Sequence, residues 1–428
     1  MSVAIMIASF FVFLSLGIPV VLSLLAGSLT YLAFNPDLSI LLIPIKLFRA
    51  TDAFVFLSVP LFVLAGKLMN LTGTTESLIE FSDMLVGRLR GGLAHVNILV
   101  SMFFGGCTGA AISDTTAVGS VLIPSMVKKG YPKDFSAAVT AASSTMGPII
   151  PPSLAFILYG AISNVSIGDL FLAGIIPGIL VGVFQMFVVF YYAKKYDFPK
   201  REQRYTARQA LKCFKEVSWG LMLPVIIVGG IATGFCTPTE AAAIAVFYSL
   251  FVGLVVYRNL GLRQILSAMR DSAIESGAIM IIVAAAALFG WVLAMEQVPM
   301  KLAEAILDIT SSPWQVLILV NLALLLLGMF MDYAPAVILV TPILIPLYIQ
   351  IGLDPLQAGV MTCVNLITGL ATPPVGCCLF AASVISGEAF EKVCWAIFPF
   401  ILMNLLVLAL VSYCPVVTTF IPKVIFGH

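Results

Sequence analysis

The chain has 428 residues, of which 61% are hydrophobic and only 10% charged, against roughly 25% charged residues in soluble domains. A mean hydropathy of +1.10 marks a multi-span membrane protein and excludes a water-soluble enzyme, because a bilayer-crossing helix takes about 20 apolar residues and this length holds roughly ten of them with loops. The net charge of +1, from 22 Lys and Arg against 21 Asp and Glu, excludes a basic nucleic-acid surface, and the eight cysteines lack the C-x-x-C or Cys/His spacing of a zinc site or disulfide framework.

The first apolar run, Val3 to Ala33, is too long for a signal-peptide core and lacks a basic leader. It reads as a retained segment, either one tilted span or a broken pair. Ser77 to Arg90 is amphipathic and suits a helix lying along an interface. His95 to Met126 begins beside Arg88 and Arg90 and ends beside Lys128, Lys129 and Lys133, so both ends are cytoplasmic by the positive-inside rule. Its centre is Gly-rich and polar, with Gly105-Gly106-Cys107-Thr108-Gly109 followed by Ser113-Asp114-Thr115-Thr116, which suits a re-entrant hairpin. Spans follow from about Phe135 to Gly160 and from about Asp169 to Tyr192.

The next segment fixes the orientation. Eight cations (Lys194, Lys195, Lys200, Arg201, Arg204, Arg208, Lys212 and Lys215) face three acids (Asp197, Glu202 and Glu216), which makes it a cytoplasmic loop. Spans then run from about Trp219 to Phe235, Glu240 to Tyr257 and Ala273 to Met295, with Arg258, Arg263 and Arg270 on the cytoplasmic side. Pro299 to Thr310 is a second amphipathic stretch. A second hairpin from about Trp314 to Ile349 starts outside, and spans near Leu356 to Ala382 and Cys394 to Val416 follow it.

Sliding the chain along itself by 222 positions aligns its two halves without a gap. Leu122-Ile123-Pro124 falls on Leu344-Ile345-Pro346, Gly130 on Gly352, Gly147 on Gly369, Pro151-Pro152 on Pro373-Pro374, Pro177 on Pro399 and Gly106 on Gly328. The charge map enters the first copy from the cytoplasm and the second from outside, so the copies are inverted, as in many secondary transporters. The chain is therefore expected to be an all-α integral membrane protein built from inverted repeats. Residues 1–193 form the first repeat, with its hairpin at about 93–126 and an interrupted helix at about 135–160. Residues 194–217 form the cytoplasmic basic linker. Residues 218–428 form the second repeat, with its hairpin at about 314–349 and an interrupted helix at about 356–382.

Each Pro-Pro pair lies in mid-span, where proline removes an N–H and clashes with the carbonyl one turn back, so the helix must unwind. Unwound carbonyls in a membrane need a partner, and a dehydrated cation beside a Gly-rich hairpin tip supplies one. One sodium site is expected between the tip residues Gly106, Cys107 and Thr108 and Ser144, Gly147 and Ile150. Its mate lies between Gly328 with Met331 and Gly369 with Thr372. Sodium is here a co-transported ion.

Further motifs are Gly17-Ile18-Pro19, Phe56-Leu57-Ser58-Val59-Pro60-Leu61-Phe62, Gly106-Cys107-Thr108-Gly109-Ala110-Ala111, Ile150-Pro151-Pro152-Ser153, Thr237-Pro238-Thr239-Glu240-Ala241-Ala242 and Ala371-Thr372-Pro373-Pro374-Val375-Gly376. With these the chain resembles, over nearly its whole length, the large membrane subunit of TRAP transporters, the tripartite ATP-independent periplasmic systems. The resemblance implies an elevator-type, sodium-driven importer in the bacterial inner membrane. It implies two partners, a small four-helix membrane subunit and a soluble periplasmic substrate-binding protein. The family's substrates are mostly carboxylates, such as C4-dicarboxylates, sialic acid and other sugar acids. Many members have Ser where Thr108 stands.

A substrate site should be polar where the two copies differ. Thr108 maps to Phe330, Ser153 to Val375 and Asp332 to Ala110, so Thr108, Ser153 and Asp332 are the expected substrate-binding residues. Hydroxyls and a half-helix N-terminus suit a carboxylate, and an acid in a membrane core is a functional candidate by default, here as a cation ligand or as the acceptor for a substrate hydroxyl. Other polar residues read as architecture. Asp114 reads as a cap of the second hairpin arm, Glu240 as the first turn of a helix, and Lys67, Glu275 and Glu296 as snorkelling near span ends. Gly174, Gly178 and Gly182 permit close helix packing.

No H-E-x-x-H, G-x-S-x-G or G-x-x-x-x-G-K-[ST] is present, so catalytic residues are not expected and an ATP-driven pump is excluded. A channel using the hairpins as pore loops fits the unmatched polar residues less well. The remaining alternative is a stand-alone sodium/carboxylate symporter that needs no binding protein.

Overall fold

In hydrocarbon every backbone N–H and C=O must be satisfied within the protein, so the apolar runs fold as helices. The structure, a computed structural model, describes residues 2–199, 205–310 and 312–427; of Cys107, Thr108, Ala207 and Phe426 it describes the backbone only. Among the described residues every regular element is helical. The first half comprises α1 (Ser2–Ser15), α2 (Val20–Ala33), α3 (Leu42–Thr51), α4 (Ser58–Leu71), α5 (Thr74–Val86), α6 (Gly92–Thr108), α7 (Ala111–Lys128), α8 (Lys133–Ser143), α9 (Leu154–Ser163) and α10 (Ile167–Lys195). The second comprises α11 (Ala207–Ala232), α12 (Pro238–Phe251), α13 (Leu262–Met295), α14 (Val298–Ile309), α15 (Pro313–Phe330), α16 (Tyr333–Gln350), α17 (Pro355–Gly369), α18 (Cys377–Ser386), α19 (Phe390–Tyr413) and α20 (Val416–Phe426). Among the described residues eight helices are long and apolar enough to cross a membrane, which makes this a multi-pass membrane protein.

The helix boundaries recur at a constant spacing. Ala111–Lys128 corresponds to Tyr333–Gln350, 222 residues on, and α6, α8 and α9 correspond in the same way to α15, α17 and α18 within a residue or so at most ends. Packing sorts the helices into two groups. One holds α1, α2, α3, α4, α11, α12 and α13; the other holds α6 to α10 and α15 to α20, with α5 and α14 between them. Glu240 is the first-turn residue expected of it, accepting from Thr237 N at 2.8 Å while Thr237 Oγ1 accepts from Glu240 N at 3.4 Å.

One open alternative is decided and two expectations change. Val3 to Ala33 is a broken pair, turned at Gly17 with φ +79°, and α1 and α2 have 14 residues each, about 21 Å and too short alone for a hydrocarbon core of about 30 Å. The 194–217 linker is shorter than its charge suggested, because α10 continues through Lys195 and α11 already includes Arg208, Lys212 and Lys215. Lysines on exposed helical turns keep their charge in water, so charge alone does not separate loop from helix end; Lys200, Arg201, Glu202 and Arg204 lie outside the described residues. Finally, α13 starts at Leu262 rather than near Ala273, which puts Arg263 and Arg270 on its first turns.

The two hairpins enter from opposite ends of the bundle. At one end Gly91, just before α6, faces Ala193 of α10, with 2.8 Å between an added Cβ and that methyl. There Phe135 of α8 stacks on Tyr192 at 5.6 Å, and Asp134 and Lys392 line one pocket, so α19 begins at this end. At the other end Trp314, opening α15, stacks on Tyr413 at the close of α19, with ring centroids 4.8 Å apart. Asp354, before α17, lies beside them. In a chain whose other cysteines are replaced, Lys195→Cys and Asp354→Cys are expected to label with an impermeant thiol reagent from opposite sides of the membrane. Labelling of both from one side would contradict the inversion.

Candidate functional site

The site is built around the two helix breaks. Beyond α8 a single 3-10 turn, Ser144–Met146, precedes residues 147–153, which are non-helical until α9 begins. Beyond α17, residues 370–376 leave the α-helix until α18 begins. The Pro151-Pro152 and Pro373-Pro374 bonds are both cis. Short bonds re-satisfy part of the freed backbone. Ile149 N and Ile150 N donate to Met146 O at 3.0 and 2.9 Å, Thr372 N donates to Gly369 O at 2.9 Å, and Cys378 N donates to Leu370 O at 3.1 Å.

Against each break lies a hairpin arm that could come this close only with glycine. A Cβ on Gly105 would sit 2.5 Å from Gly147 Cα, one on Gly106 3.3 Å from Pro151 O, and one on Gly109 2.7 Å from Pro152 O. In the second half a Cβ on Gly369 would sit 2.6 Å from Gly328 Cα, and Gly376 N reaches Met329 O at 3.3 Å. Backbone thus meets backbone at both breaks. The expected partners Gly328 and Gly369 are brought together, and Gly147 meets the first tip through Gly105, one residue from the expected Gly106. The run Gly105-Gly106 offered both, and only helical phase chose between them. The Gly174, Gly178 and Gly182 stripe of α10 backs this region, with an added Cβ on Gly174 2.6 Å from Ile149 O and one on Gly182 2.5 Å from Met102 Sδ.

The remaining expected ion residues fall around these contacts. Ser144 is buried, its Oγ 2.6 Å from Thr115 Oγ1 of α7 and 2.9 Å from Thr140 O. Ile150 is half-buried. Met331 is the extended residue closing α15, and Thr372 Oγ1 donates to Thr368 O at 2.9 Å. Cys107 and Thr108 end α6, and their side chains lie outside the described residues.

Of the expected substrate residues, Ser153 is fully buried as the cap of α9. Its Oγ accepts from Phe156 N at 3.2 Å and donates to Pro148 O, so in this conformation its proton is used inside the break. Asp332 caps α16, accepting from Tyr333 N at 2.9 Å. Next to it Tyr333 OH donates across to Gly109 O at 3.4 Å, so the two hairpin tips touch. Asp114 does not cap α7 as expected; it is fully buried and makes no side-chain bond to the helix start.

A small cleft opens beside the first tip, lined by Gly109, Ala110, Ser113, Pro152, Lys67 and Glu275 among others. Lys67 of α4 and Glu275 of α13 pair there at 2.8 Å. This corrects the snorkelling expectation. With α13 starting at Leu262, Glu275 sits well inside the helix, and Lys67, one turn before the end of α4, finds its countercharge across the interface. Opposite charges inside two apolar segments were the available signal. Glu296 instead accepts from Tyr31 OH at 2.5 Å.

The chain matches the family described as "Tripartite ATP-independent periplasmic transporter, DctM component" over residues 7–417. It is 38% identical over 399 residues to the C4-dicarboxylate TRAP transporter large permease protein DctM of Pseudomonas aeruginosa, covering 93% of each chain. It is 38% identical over 429 residues to the sialic acid TRAP transporter large permease protein SiaM of Vibrio cholerae, covering 99% of this chain and 100% of that one. In fold it is similar to the crystal structure of the Alcanivorax borkumensis YdaH transporter, with a TM-score of 0.61 at 16% identity, covering 89% of this chain and 88% of that one.

Proposed function

Because the chain belongs to the family of DctM components of tripartite ATP-independent periplasmic transporters, and so is a transporter permease and not an enzyme, we propose that it drives import of an organic carboxylate with sodium. In this reading it sits in a bacterial inner membrane beside a small membrane subunit and takes its solute from a periplasmic binding protein. The Pseudomonas relative is named for C4-dicarboxylates and the Vibrio relative for sialic acid, which makes a C4-dicarboxylate or a sugar acid the solute class here.

The observation that carries the reading is the paired breaks, each pressed backbone to backbone against a glycine of an oppositely entering hairpin. Such a junction gathers carbonyl oxygens without acidic side chains, which suits a hard monovalent cation. The touching tips support hairpins that each stop part-way as re-entrant elements. The sorting into two packed groups supports an elevator in which the hairpin group moves past the α1–α4 and α11–α13 group. Thr108, Ser153 and Asp332, at or next to the tips and the first break, are the proposed solute contacts, with Ser153 acting first through the cap it gives α9.

Vesicles containing this chain and its small subunit test the reading. Uptake of labelled succinate or sialic acid is expected only with an inward sodium gradient and the cognate binding protein outside. Robust uptake of free solute without the binding protein would favour the stand-alone symporter, and sodium-independent uptake would remove the driving ion.

A further inference from the structure

The cleft beside the first tip has two unlike walls. One is built from α4 and α13, which pack in one group of helices, and carries Lys67 and Glu275; the other is the first tip and break, with Gly109, Pro152 and Leu154. Gly109 directly follows Thr108, and Pro152 and Leu154 flank Ser153, so the wall facing Lys67 is the one that holds two of the proposed solute contacts. The second tip also turns toward this place, because Tyr333 OH reaches Gly109 O and Asp332 lies within electrostatic reach of Glu275.

Charge then decides what Lys67 can do. Among the described residues that line the cleft, Lys67 is the one cation and Glu275 the one acid. An anionic solute arriving here meets two carboxylates, Glu275 and Asp332, and needs a positive charge to offset their repulsion. Lys67 Nζ lies 2.8 Å from Glu275 Oε2, with the two side chains 31% and 45% exposed. An ion pair this open to water contributes little to holding α4 against α13. An ammonium has three protons and Glu275 takes one of them, which leaves donors for a second carboxylate. Neither residue is repeated, since Phe289 and Ala53 stand 222 positions from Lys67 and Glu275. The same asymmetry marks Thr108, Ser153 and Asp332.

We propose that Lys67 is a further solute-binding residue, which takes a carboxylate of the solute from the α4–α13 side of the cleft, and that Glu275 is the internal carboxylate the solute displaces. This rests on the reading of the solute as an organic acid. Such an acid is gripped from both helix groups, by the tip on one wall and by Lys67 on the other. A neutral solute of the same shape gains nothing from the ammonium, so Lys67 selects acids.

The chain purified with its small subunit in detergent and sodium chloride tests this, through the rise of its thermal midpoint with succinate or sialic acid as the added probe. Lys67→Met keeps the apolar stem and removes the charge, and is expected to raise the half-saturating acid by about tenfold or more. Glu275→Gln removes the competing carboxylate and is expected to bind the acid as tightly as wild type or tighter. Lys67→Met combined with Glu275→Gln is expected to bind as weakly as Lys67→Met alone, and it carries the test should an unpaired Glu275 unfold the single variant. A pair that served structure alone would give the opposite pattern: equal weakening in both single variants, and recovery when the two are combined. Either of those results overturns the proposal. Unchanged binding in Lys67→Met overturns it as well and leaves the carboxylate reading standing, whereas a wild type that binds neither acid overturns both.

Discussion

Gly369→Val is expected to reduce uptake to background while leaving the chain inserted in the membrane. A Cβ at this position would lie 2.6 Å from Gly328 Cα, a distance backbone atoms cannot accept, so α15 and α17 must separate. Forcing extra atoms into a packed interior costs typically 1–3 kcal/mol, which a protein of this size survives. The proposed ion site does not survive it, because the carbonyls that converge there belong to the two backbones being pushed apart. Any residual uptake should need roughly tenfold or more sodium for half-saturation. Gly105→Val should behave alike, with its Cβ 2.5 Å from Gly147 Cα, whereas Gly147→Ala has 3.3 Å to the nearest atom, Ser144 O, and should be milder. Uptake assays across sodium concentrations check this ordering. If only the solute dependence moves, these glycines are packing residues and the ion sites lie elsewhere.

Asp332→Ala is expected to weaken apparent solute affinity strongly. Losing a hydrogen bond that involves a charged group is worth about 1.5–3 kcal/mol, on the order of tenfold to a hundredfold in half-saturating solute. The same substitution removes the cap of α16, where the carboxylate accepts from Tyr333 N at 2.9 Å, for about 1 kcal/mol of stability. Asp332→Asn separates the two effects, because the amide oxygen keeps the cap while the charge is gone. A full loss of affinity in Asp332→Asn with unchanged thermal stability assigns the residue to the solute. Wild-type uptake in an inserted Asp332→Ala would remove it from the site.

Much of the frame was legible because its signals are backbone chemistry. The Pro-Pro pairs at 151–152 and 373–374 remove two successive N–H donors, and the breaks fall there, whereas single prolines such as Pro177, Pro224 and Pro399 are carried inside continuous helices. Gly328 and Gly369 could be paired because one register aligns both halves. What the sequence concealed depends on phase and on partners across space. Gly105 and Gly106 are equivalent in composition and differ only in which way the helix turns them. Ser153 and Asp332 were picked for polarity, and both also serve as helix caps, a local role that one unpaired comparison between halves does not separate from binding. Glu275 looked like an end residue because the start of α13 was placed about three turns too late, while Lys67 does lie one turn from the end of α4. Asp114 read as a cap because acids favour first turns; it is fully buried instead, under packing of α7 against α6, α8 and α18 that no local pattern records.

The central claim, that the two breaks hold sodium and couple it to a carboxylate, is tested most directly by counting ions. Vesicles containing the chain and its small subunit, with the binding protein outside, are given labelled solute and radioactive sodium, and the two uptakes are measured together at zero voltage. Two or more sodium ions are expected to enter with each carboxylate, one for each break, and the count should fall with the uptake in Gly369→Val. Carboxylate accumulation with no accompanying sodium would contradict the account.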